Sequence, residues 1–188
     1  MNKKVLIPIA DGSEEIEAAC LIDVLRRAGA DLTVASVNNL EITASRQLKI
    51  LADKLISECK DEIYDLIALP GGMPGAQNLC DNKILEELLK EQKNSGRLFA
   101  AICASPAVVF DHQKLIEGYK ATCYPSFLEK MRNCIPIDQK IVVDRNCITS
   151  QGPATALKFS IKLIEHLFSA QKAVAVADSM LITKYNHK

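Results

Sequence analysis

The chain has 188 residues, of which 48% are hydrophobic and 24% are charged, as is ordinary for a globular protein. Its 23 basic residues balance its 23 acidic residues, which excludes a general electrostatic attraction to nucleic acid or to an anionic membrane. The seven cysteines form no C-x-x-C pair, which argues against a structural zinc site and a secreted disulfide framework. We therefore expect a reducing, cytoplasmic location and no metal.

Short apolar runs alternate with helical patterns along the chain. The first apolar run, residues 5–10, is too short for a membrane span or a signal peptide, and acidic residues follow it at once. The elements predicted in chain order are a strand at 5–9, a helix at 14–28, a strand at 31–37, a strand at Leu66–Leu69, a helix at Lys83–Asn94, a strand at Leu98–Ile102, a hairpin of 141–143 with 147–149, and a helix at 153–168. This alternation predicts a single α/β domain over residues 1–188, with a mostly parallel central sheet covered on both faces.

The segment around Cys103 is the most informative in the chain. The apolar run Leu98–Ile102 ends at the cysteine, and small residues then lead to Pro106, which suits the first turn of a helix. The pattern predicts a strand, a sharp turn and a helix, as in the elbow that exposes the serine nucleophile of a hydrolase. A helix N-terminus stabilises a thiolate, so Cys103 is the candidate nucleophile. The alternative is a cysteine that only packs in the core, where this residue type is common.

Three segments lie at the carboxyl ends of predicted strands, where sites form in open α/β sheets. They are residues 10–17 (ADGSEEIE), residues 70–72 (PGG) and Cys103. One cleft is therefore expected to collect carboxylates, backbone N–H groups and a thiol.

With these segments the chain resembles the ThiJ/PfpI family, and within it the branch of the Parkinson-disease-associated deglycase and its bacterial homologues. Four stretches carry the resemblance, and their order and spacing extend it over nearly the whole length. They are residues 11–17 (DGSEEIE), 69–76 (LPGGMPGA), 100–106 (AAICASP) and 149–155 (TSQGPAT).

The resemblance implies a flavodoxin-like three-layer α/β sandwich, a homodimer and no cofactor. It places the family's reactive cysteine at Cys103 and its partner glutamate at Glu17. It also assigns the backbone N–H groups of Gly72 and Ala104 to an oxyanion-type pocket. The family's activities include hydrolysis of early glycation adducts of cysteine, lysine and arginine, and conversion of methylglyoxal to lactate without glutathione. The implied partners are small reactive carbonyls or glycated proteins.

The chemistry of a thiol beside a carboxyl group sets a condition on Glu17. An ionised carboxylate next to a thiolate raises the pKa of both groups through like-charge repulsion. Glu17 therefore assists only when it is protonated, donates a hydrogen bond and shuttles that proton during turnover. The alternative is a solvated glutamate in the first turn of a helix, where the helix dipole favours it.

The chain departs from some relatives at residue 124. Those relatives carry histidine before the proline, whereas this chain has Tyr124, which can orient a substrate through its hydroxyl but cannot act as a base at neutral pH. Glu14, in the first motif, is the remaining predicted substrate-binding residue. Arg27 and Arg46 align with basic residues near the relatives' site and interface, although a surface charge is the simpler account of Arg27.

The histidines do not support a cysteine–histidine dyad. The chain has three, His112, His166 and His187, and each is expected to be a surface or core residue. The protease-like branch of the family has histidine directly after the nucleophile, where this chain has Ala104.

The first hypothesis is a cofactor-free cysteine enzyme that acts on reactive carbonyls or their protein adducts, as a glyoxalase or deglycase with a protective role in oxidative stress. The alternative is a non-enzymatic redox sensor or chaperone in which Cys103 is oxidised to a sulfinate capped by protonated Glu17. A peptidase and a role in thiazole-phosphate metabolism, which the family name suggests, rank below these.

Overall fold

The computed structural model, which describes residues 3–182, is built around a seven-stranded sheet. The strands of the protein are β1 (Lys4–Ile9), β2 (Asp31–Ser36), β3 (Glu41–Thr43), β4 (Lys49–Leu51), β5 (Lys54–Leu55), β6 (Leu66–Leu69), β7 (Leu98–Ile102), β8 (Lys120–Ala121), β9 (Ile135–Pro136), β10 (Ile141–Asp144) and β11 (Cys147–Ser150). The sheet order is β10-β11-β7-β6-β1-β2-β5, and every neighbouring pair is parallel except β10 with β11. The five long parallel strands, numbered along the chain, stand in the order 2-1-3-4-5, which is the flavodoxin-like order.

Helices cover both faces of this sheet. They are α1 (Glu15–Arg27), α2 (Gly75–Cys80), α3 (Lys83–Asn94), α4 (Pro125–Leu128), α5 (Ala156–Leu167) and α6 (Ala170–Ser179), with 3-10 turns at Ile56–Glu58 and Pro153–Thr155 and a π-type helix at Pro106–Asp111. One hydrophobic core contains side chains of α1, α5 and α6, and a second core on the other face contains side chains of α2 and α3. The predicted fold class, a three-layer α/β sandwich with a mostly parallel sheet, is confirmed.

Most predicted elements are present with small differences at their ends. The predicted strands Leu66–Leu69 and Leu98–Ile102 and the helix Lys83–Asn94 have the expected bounds. The first helix begins one residue later than expected because Glu14 is its N-cap and accepts a hydrogen bond from the Glu17 N–H group. The last predicted helix begins as a 3-10 turn before it continues as α5.

The sheet order brings the three predicted site segments together. Strands β7, β6 and β1 are neighbours and run parallel, so their carboxyl ends lie at the same edge. Cys103 follows β7, Gly71 and Gly72 follow β6, and the segment that leads into α1 follows β1. The expectation of one shared cleft therefore has a topological basis.

Glycines allow these segments to approach one another closely. A Cβ atom on Gly71 would lie 2.6 Å from the Cys103 Cβ, and one on Gly72 would lie 2.5 Å from the Glu14 nitrogen and the Gly12 oxygen. Gly72 also has a φ of +88°, which side chains rarely adopt. The backbone after β6 thus packs directly against both the cysteine turn and the start of α1.

No helix within residues 3–182 is long and apolar enough to cross a membrane.

Replacing Gly72 with alanine should lower the free energy of unfolding more than replacing Gly96. Both glycines have positive φ, so either substitution carries roughly 1–2 kcal/mol of backbone strain. A Cβ on Gly96 meets nothing within 4 Å, whereas one on Gly72 meets backbone atoms at 2.5 Å. Urea unfolding should therefore show an additional loss of about 2 kcal/mol or more for Gly72→Ala. Equal losses in the two variants would contradict the close approach.

Candidate active site

Cys103 occupies a strained turn directly after β7. Its φ of +65° lies in the left-handed region, which is uncommon for a residue with a side chain. Its N–H group donates to the Ser150 carbonyl at 3.0 Å, and its carbonyl accepts from the Tyr124 N–H group at 2.7 Å. These bonds to two other segments hold the turn, so the predicted elbow is present and the side chain of Cys103 faces a cleft.

Glu17 comes from the first turn of α1 and is fully buried. Its Oε2 atom accepts a hydrogen bond of 2.8 Å from the Gly71 N–H group. Its Oε1 atom receives no N–H or O–H group in the part of the chain that the structure describes. The carboxyl group is in hydrogen-bond contact with the Cys103 thiol. Glu17 is therefore not the solvated glutamate of the alternative interpretation.

Burial governs the ionisation of this pair. It raises the pKa of Glu17 to about 7, an effect that the Gly71 N–H group opposes and the charge of Glu14 reinforces. Burial and then the charge of Glu17 raise the pKa of the Cys103 thiol to about 12. Because the two groups repel each other when both are ionised, the pair holds at most one negative charge near neutral pH.

The predicted lowering of the pKa of Cys103 by a helix N-terminus is wrong for the resting protein. Cys103 is only 9% exposed, so its thiolate loses hydration, and the ionised Glu17 opposes it further. The helix that follows, Pro106–Asp111, has six residues and supplies only a short run of aligned peptide dipoles. The thiolate therefore needs Glu17 in its protonated form.

Two backbone N–H groups face the sulfur of Cys103, and both lower its pKa. They belong to Gly72 and Ala104, which come from the turns after β6 and β7. The geometry thus brings together, at the sulfur, the two N–H groups that the family resemblance implied. Their use as an oxyanion pocket stays a prediction.

The cleft in front of Cys103 has a volume of about 390 Å³. Four of the predicted residues, Gly72, Ala104, Glu14 and Tyr124, line it together with Cys103, whereas Glu17 lies beneath its floor. Sequence reasoning did not single out four other wall residues. Met73 and Pro153 belong to the motif stretches 69–76 and 149–155, whereas Ser45 and Phe127, the latter in α4, come from segments without a motif.

Glu14 and Tyr124 are held in different ways. Glu14 caps α1, since its Oε2 atom accepts from the Glu17 N–H group at 2.8 Å and its own N–H group donates to the Gly71 carbonyl at 2.9 Å. Tyr124 is fixed through its backbone to Cys103, but its side chain is 44% exposed. Glu14 therefore contributes to the construction of the site, and Tyr124 presents a surface to the cleft.

The basic residues and histidines divide clearly between site and surface. Arg46 lines the cleft, whereas Arg27 forms an exposed ion pair of 2.7 Å with Asp23 on α1. Neither His112 nor His166 lines the cleft, and His187 lies outside the described residues. Within residues 3–182 no group of three or more histidine, cysteine or acidic side chains is arranged to hold a metal.

Comparison with known proteins places this geometry in a family. A model of the DJ-1/PfpI family matches residues 3–166. The chain belongs to this family. The chain is 47% identical over 183 residues to Protein DJ-1 homolog B of Arabidopsis thaliana, which covers 96% of the chain but 42% of that protein. It therefore spans less than half the length of this relative.

Two further relatives match over nearly their whole length. The solved structure of oxidized Toxoplasma gondii DJ-1 superposes with a TM-score of 0.92 at 45% identity, covering 97% of this chain and 100% of that one. The glutathione-independent glyoxalase DJR-1.2 of Caenorhabditis elegans is 32% identical over 182 residues, which cover 96% of each protein. The chain is thus similar both to a structure of an oxidised family member and to a named glyoxalase.

The raised pKa of Glu17 should make the stability of the fold depend on pH. In the unfolded chain this group ionises near its ordinary pKa of 4.5, and in the folded protein near 7. Its contribution to stability is thus fully present below pH 4.5 and is lost as the pH rises through 7, by about 3 kcal/mol at 1.36 kcal/mol per pH unit.

Glutamine carries no charge into this buried position. Urea unfolding should therefore show the stability of Glu17→Gln, relative to the wild type, increasing by about 3 kcal/mol between pH 4.5 and about pH 8. A difference that stays constant over this range would show that Glu17 ionises normally in the folded protein.

Proposed function

We propose that this protein is a cofactor-free, cysteine-dependent glyoxalase that converts methylglyoxal and related α-oxoaldehydes to α-hydroxy acids. The observation that carries the proposal is the buried pair of Cys103 and Glu17, with two N–H groups directed at the sulfur. The pair supplies a nucleophile, a proton carrier and a stabilised position for negative charge in one cleft.

The first step is addition of the sulfur to the aldehyde. The thiol proton passes to Glu17, whose pKa of about 7 lets it accept and release a proton near neutral pH. The thiolate attacks the aldehyde carbon and forms a C–S bond, and the carbonyl electrons become an alkoxide. The N–H groups of Gly72 and Ala104 stabilise this oxyanion, and such donors contribute about 3–4 kcal/mol each in known enzymes.

The following steps need no external oxidant. Glu17 gives the thiol proton to the alkoxide, which forms a neutral hemithioacetal and leaves Glu17 ionised. Glu17 then removes the proton from the former aldehyde carbon and returns it to the neighbouring carbonyl carbon, while the hydroxyl proton moves to the oxygen of that carbon, so one carbon is oxidised and the other is reduced. The product is a thioester of Cys103 with an α-hydroxy acid. Water hydrolyses this thioester, which releases lactate when the substrate is methylglyoxal and restores the thiol. The net reaction is addition of one water molecule to the oxoaldehyde.

The same attack extends to early glycation adducts. A hemithioacetal or hemiaminal formed between methylglyoxal and a protein side chain carries the same reacting carbons, and its breakdown at Cys103 would release the amine or thiol of that side chain. The cleft supports this extension because it is open at its mouth, where Tyr124 is 44% exposed. Similarity to a named glutathione-independent glyoxalase supports the shared chemistry.

Lactate formation from methylglyoxal, without glutathione, tests the proposal. Cys103→Ala should abolish turnover. Glu17→Gln should lower kcat by about a hundredfold or more, because the glutamine amide still donates a hydrogen bond but cannot accept and release a proton during turnover. Cys134→Ala is the matched control, since this half-buried cysteine lies outside the cleft. Turnover that persists in Cys103→Ala would refute the mechanism.

A second candidate function uses the same cysteine as a redox sensor with a protective or chaperone role. The similarity to the oxidised Toxoplasma gondii structure favours it, as does the contact of the Glu17 carboxyl group with the Cys103 thiol. Peroxide would oxidise the thiolate first to a sulfenate and then, with a second equivalent, to a sulfinate. A protonated Glu17 would donate a hydrogen bond to the charged sulfinate.

Mild peroxide should therefore stop at the sulfinate of Cys103. Among residues 3–182 no other cysteine lines the cleft, so the sulfenic acid meets no thiol there with which to form a disulfide. Intact-mass spectrometry should show a gain of two oxygen atoms that disappears in Cys103→Ser. A disulfide mapped to Cys103 would show that another cysteine reaches the site.

A homodimer stays a prediction of the family resemblance. An apolar surface is available for it, where Leu48 and Ile16 are each 54% exposed and a shallow cavity of about 360 Å³ lies between α1 and β4. A single-chain mass in sedimentation equilibrium would contradict the dimer.

A further inference from the structure

The tip of the β3–β4 hairpin, residues 44–47, forms part of the wall of the cleft. Ser45 and Arg46 of this turn line the cleft. The hairpin pairs outside the main sheet, so its position depends on contacts with other segments. The turn itself is tight, since the Gln47 N–H group donates to the Ala44 carbonyl at 3.0 Å and Gln47 has a φ of +72°. The contacts that hold this turn therefore determine the shape of the wall.

Glu15 ties this turn to the first turn of α1. Its side chain is buried, and its two carboxyl oxygens accept from the Ser45 hydroxyl at 2.8 Å and from the Arg46 N–H group at 2.7 Å. Burial raises the pKa of Glu15, but hydrogen bonds from its own N–H group, from Ser45 and from Arg46 outweigh that effect and lower the pKa below its ordinary value. Glu15 is therefore an ionised carboxylate that binds the turn through both oxygens. The mechanism above gives it no part.

Arg46 brings a positive charge to the cleft. Among the described residues that line the cleft, it alone carries a cationic side chain. Its guanidinium donates to the Ser45 carbonyl at 3.2 Å and belongs to no ion pair within residues 3–182. Ser45 cannot take its place as a donor, because its hydroxyl proton is given to Glu15. The donors of Arg46 are thus available to a substrate.

The proposed reaction develops charge on a second oxygen. An α-oxoaldehyde has two carbonyl oxygens, and the N–H groups of Gly72 and Ala104 serve the one on the carbon that the sulfur attacks. When Glu17 removes the proton from that carbon, the electron pair moves toward the oxygen of the neighbouring carbon. A cationic hydrogen-bond donor at this second oxygen stabilises the charge that develops there.

We propose that Glu15 is a positioning residue, which fixes the turn of residues 44–47 so that Arg46 donates hydrogen bonds to this second oxygen. The inference rests on the proposed function, because it assigns a donor to that reaction. Glu15 touches no reacting atom. It acts through the backbone of Arg46, whose N–H group it holds at 2.7 Å.

A double-mutant cycle tests whether Glu15 acts through Arg46. Glu15→Ala and Arg46→Ala should each lower kcat/KM for methylglyoxal about tenfold or more, as expected when a charged donor is lost or misplaced. The double variant should stay within about twofold of Arg46→Ala, because Glu15 then has no donor left to position. Losses that multiply in the double variant would overturn the inference, since Glu15 would act independently of Arg46.

Glu15→Gln separates position from charge. Its amide oxygen can still accept from the Arg46 N–H group and its amide nitrogen can donate to the Ser45 hydroxyl oxygen, so kcat/KM should stay within about threefold of the wild type. A loss as large as that of Glu15→Ala would overturn the inference, because the charge of Glu15 would then matter and not the position of the turn. Glu41→Ala is the matched control. It removes an exposed ion pair with Lys49 on the same hairpin and should leave kcat/KM unchanged.

Limited digestion with trypsin tests the positioning without using activity. Trypsin cuts after Arg46 when the turn opens, so Glu15→Ala should be cut there several-fold faster, relative to its other cleavage sites, than the wild type or Glu41→Ala. Mass spectrometry of the fragments identifies the cut. If the wild type forms no lactate, faster cleavage would show that the assigned reaction is wrong and that Glu15 does hold the turn. Unchanged cleavage after Arg46 in Glu15→Ala would overturn the inference whatever the activity.

Discussion

Glu17 places an ionisable carboxyl group where it is fully buried, with one oxygen held by the Gly71 N–H group at 2.8 Å. The same carboxyl group contacts the Cys103 thiol. A buried carboxylate next to a thiolate is costly, because neither charge is hydrated and the two repel each other. The site is consequently limited to one negative charge. In the resting protein that charge is carried by Glu17, because its pKa of about 7 lies below the thiol pKa of about 12. The N–H groups of Gly72 and Ala104 lower the pKa of the thiol and so favour negative charge at the sulfur once Glu17 is protonated.

The limit of one negative charge explains why both aldehyde addition and cysteine oxidation are compatible with the same site geometry. A thiolate, the alkoxide of an aldehyde adduct and a sulfinate each bring one negative charge to the same point, and each is stabilised when Glu17 is protonated. The surrounding construction serves this arrangement. Glycines at 71 and 72 let the backbone reach the cysteine turn, and the strained φ of Cys103 directs its side chain into the cleft.

The sequence predicted the fold well where strong periodicity coincided with burial. The strands Leu66–Leu69 and Leu98–Ile102 are continuous apolar runs, and the helix Lys83–Asn94 has a clear apolar face. The hairpin of β3 and β4 went unpredicted because its strands have three residues each and pair outside the main sheet. Helix α6 went unpredicted because alanine and valine give it a weak apolar face.

The candidate site was predictable in its membership but not in its electrostatics. Motifs at strand ends pointed to Cys103 and to one shared cleft, since the topology of parallel strands brings such ends together. The family resemblance supplied Glu17 and the two N–H groups. The pKa of Cys103 depends instead on burial and on a carboxyl group 86 positions earlier in the chain, which a local elbow pattern does not contain. The cleft walls at Ser45 and Phe127 come from a turn and from the four-residue helix α4, neither of which has a recognisable sequence pattern.

The pH at which the Cys103 thiolate forms is the most direct test of the single-charge pair. It can be followed by the ultraviolet absorbance of the thiolate. The absorbance of the Cys103→Ala variant is subtracted, which removes the contribution of the other six cysteines. Ionised Glu17 raises the pKa of the thiol, so the titration of Cys103 in Glu17→Gln should occur at lower pH than in the wild type. A midpoint that is unchanged, or that moves to higher pH, would contradict the account of a carboxyl and a thiol sharing one charge.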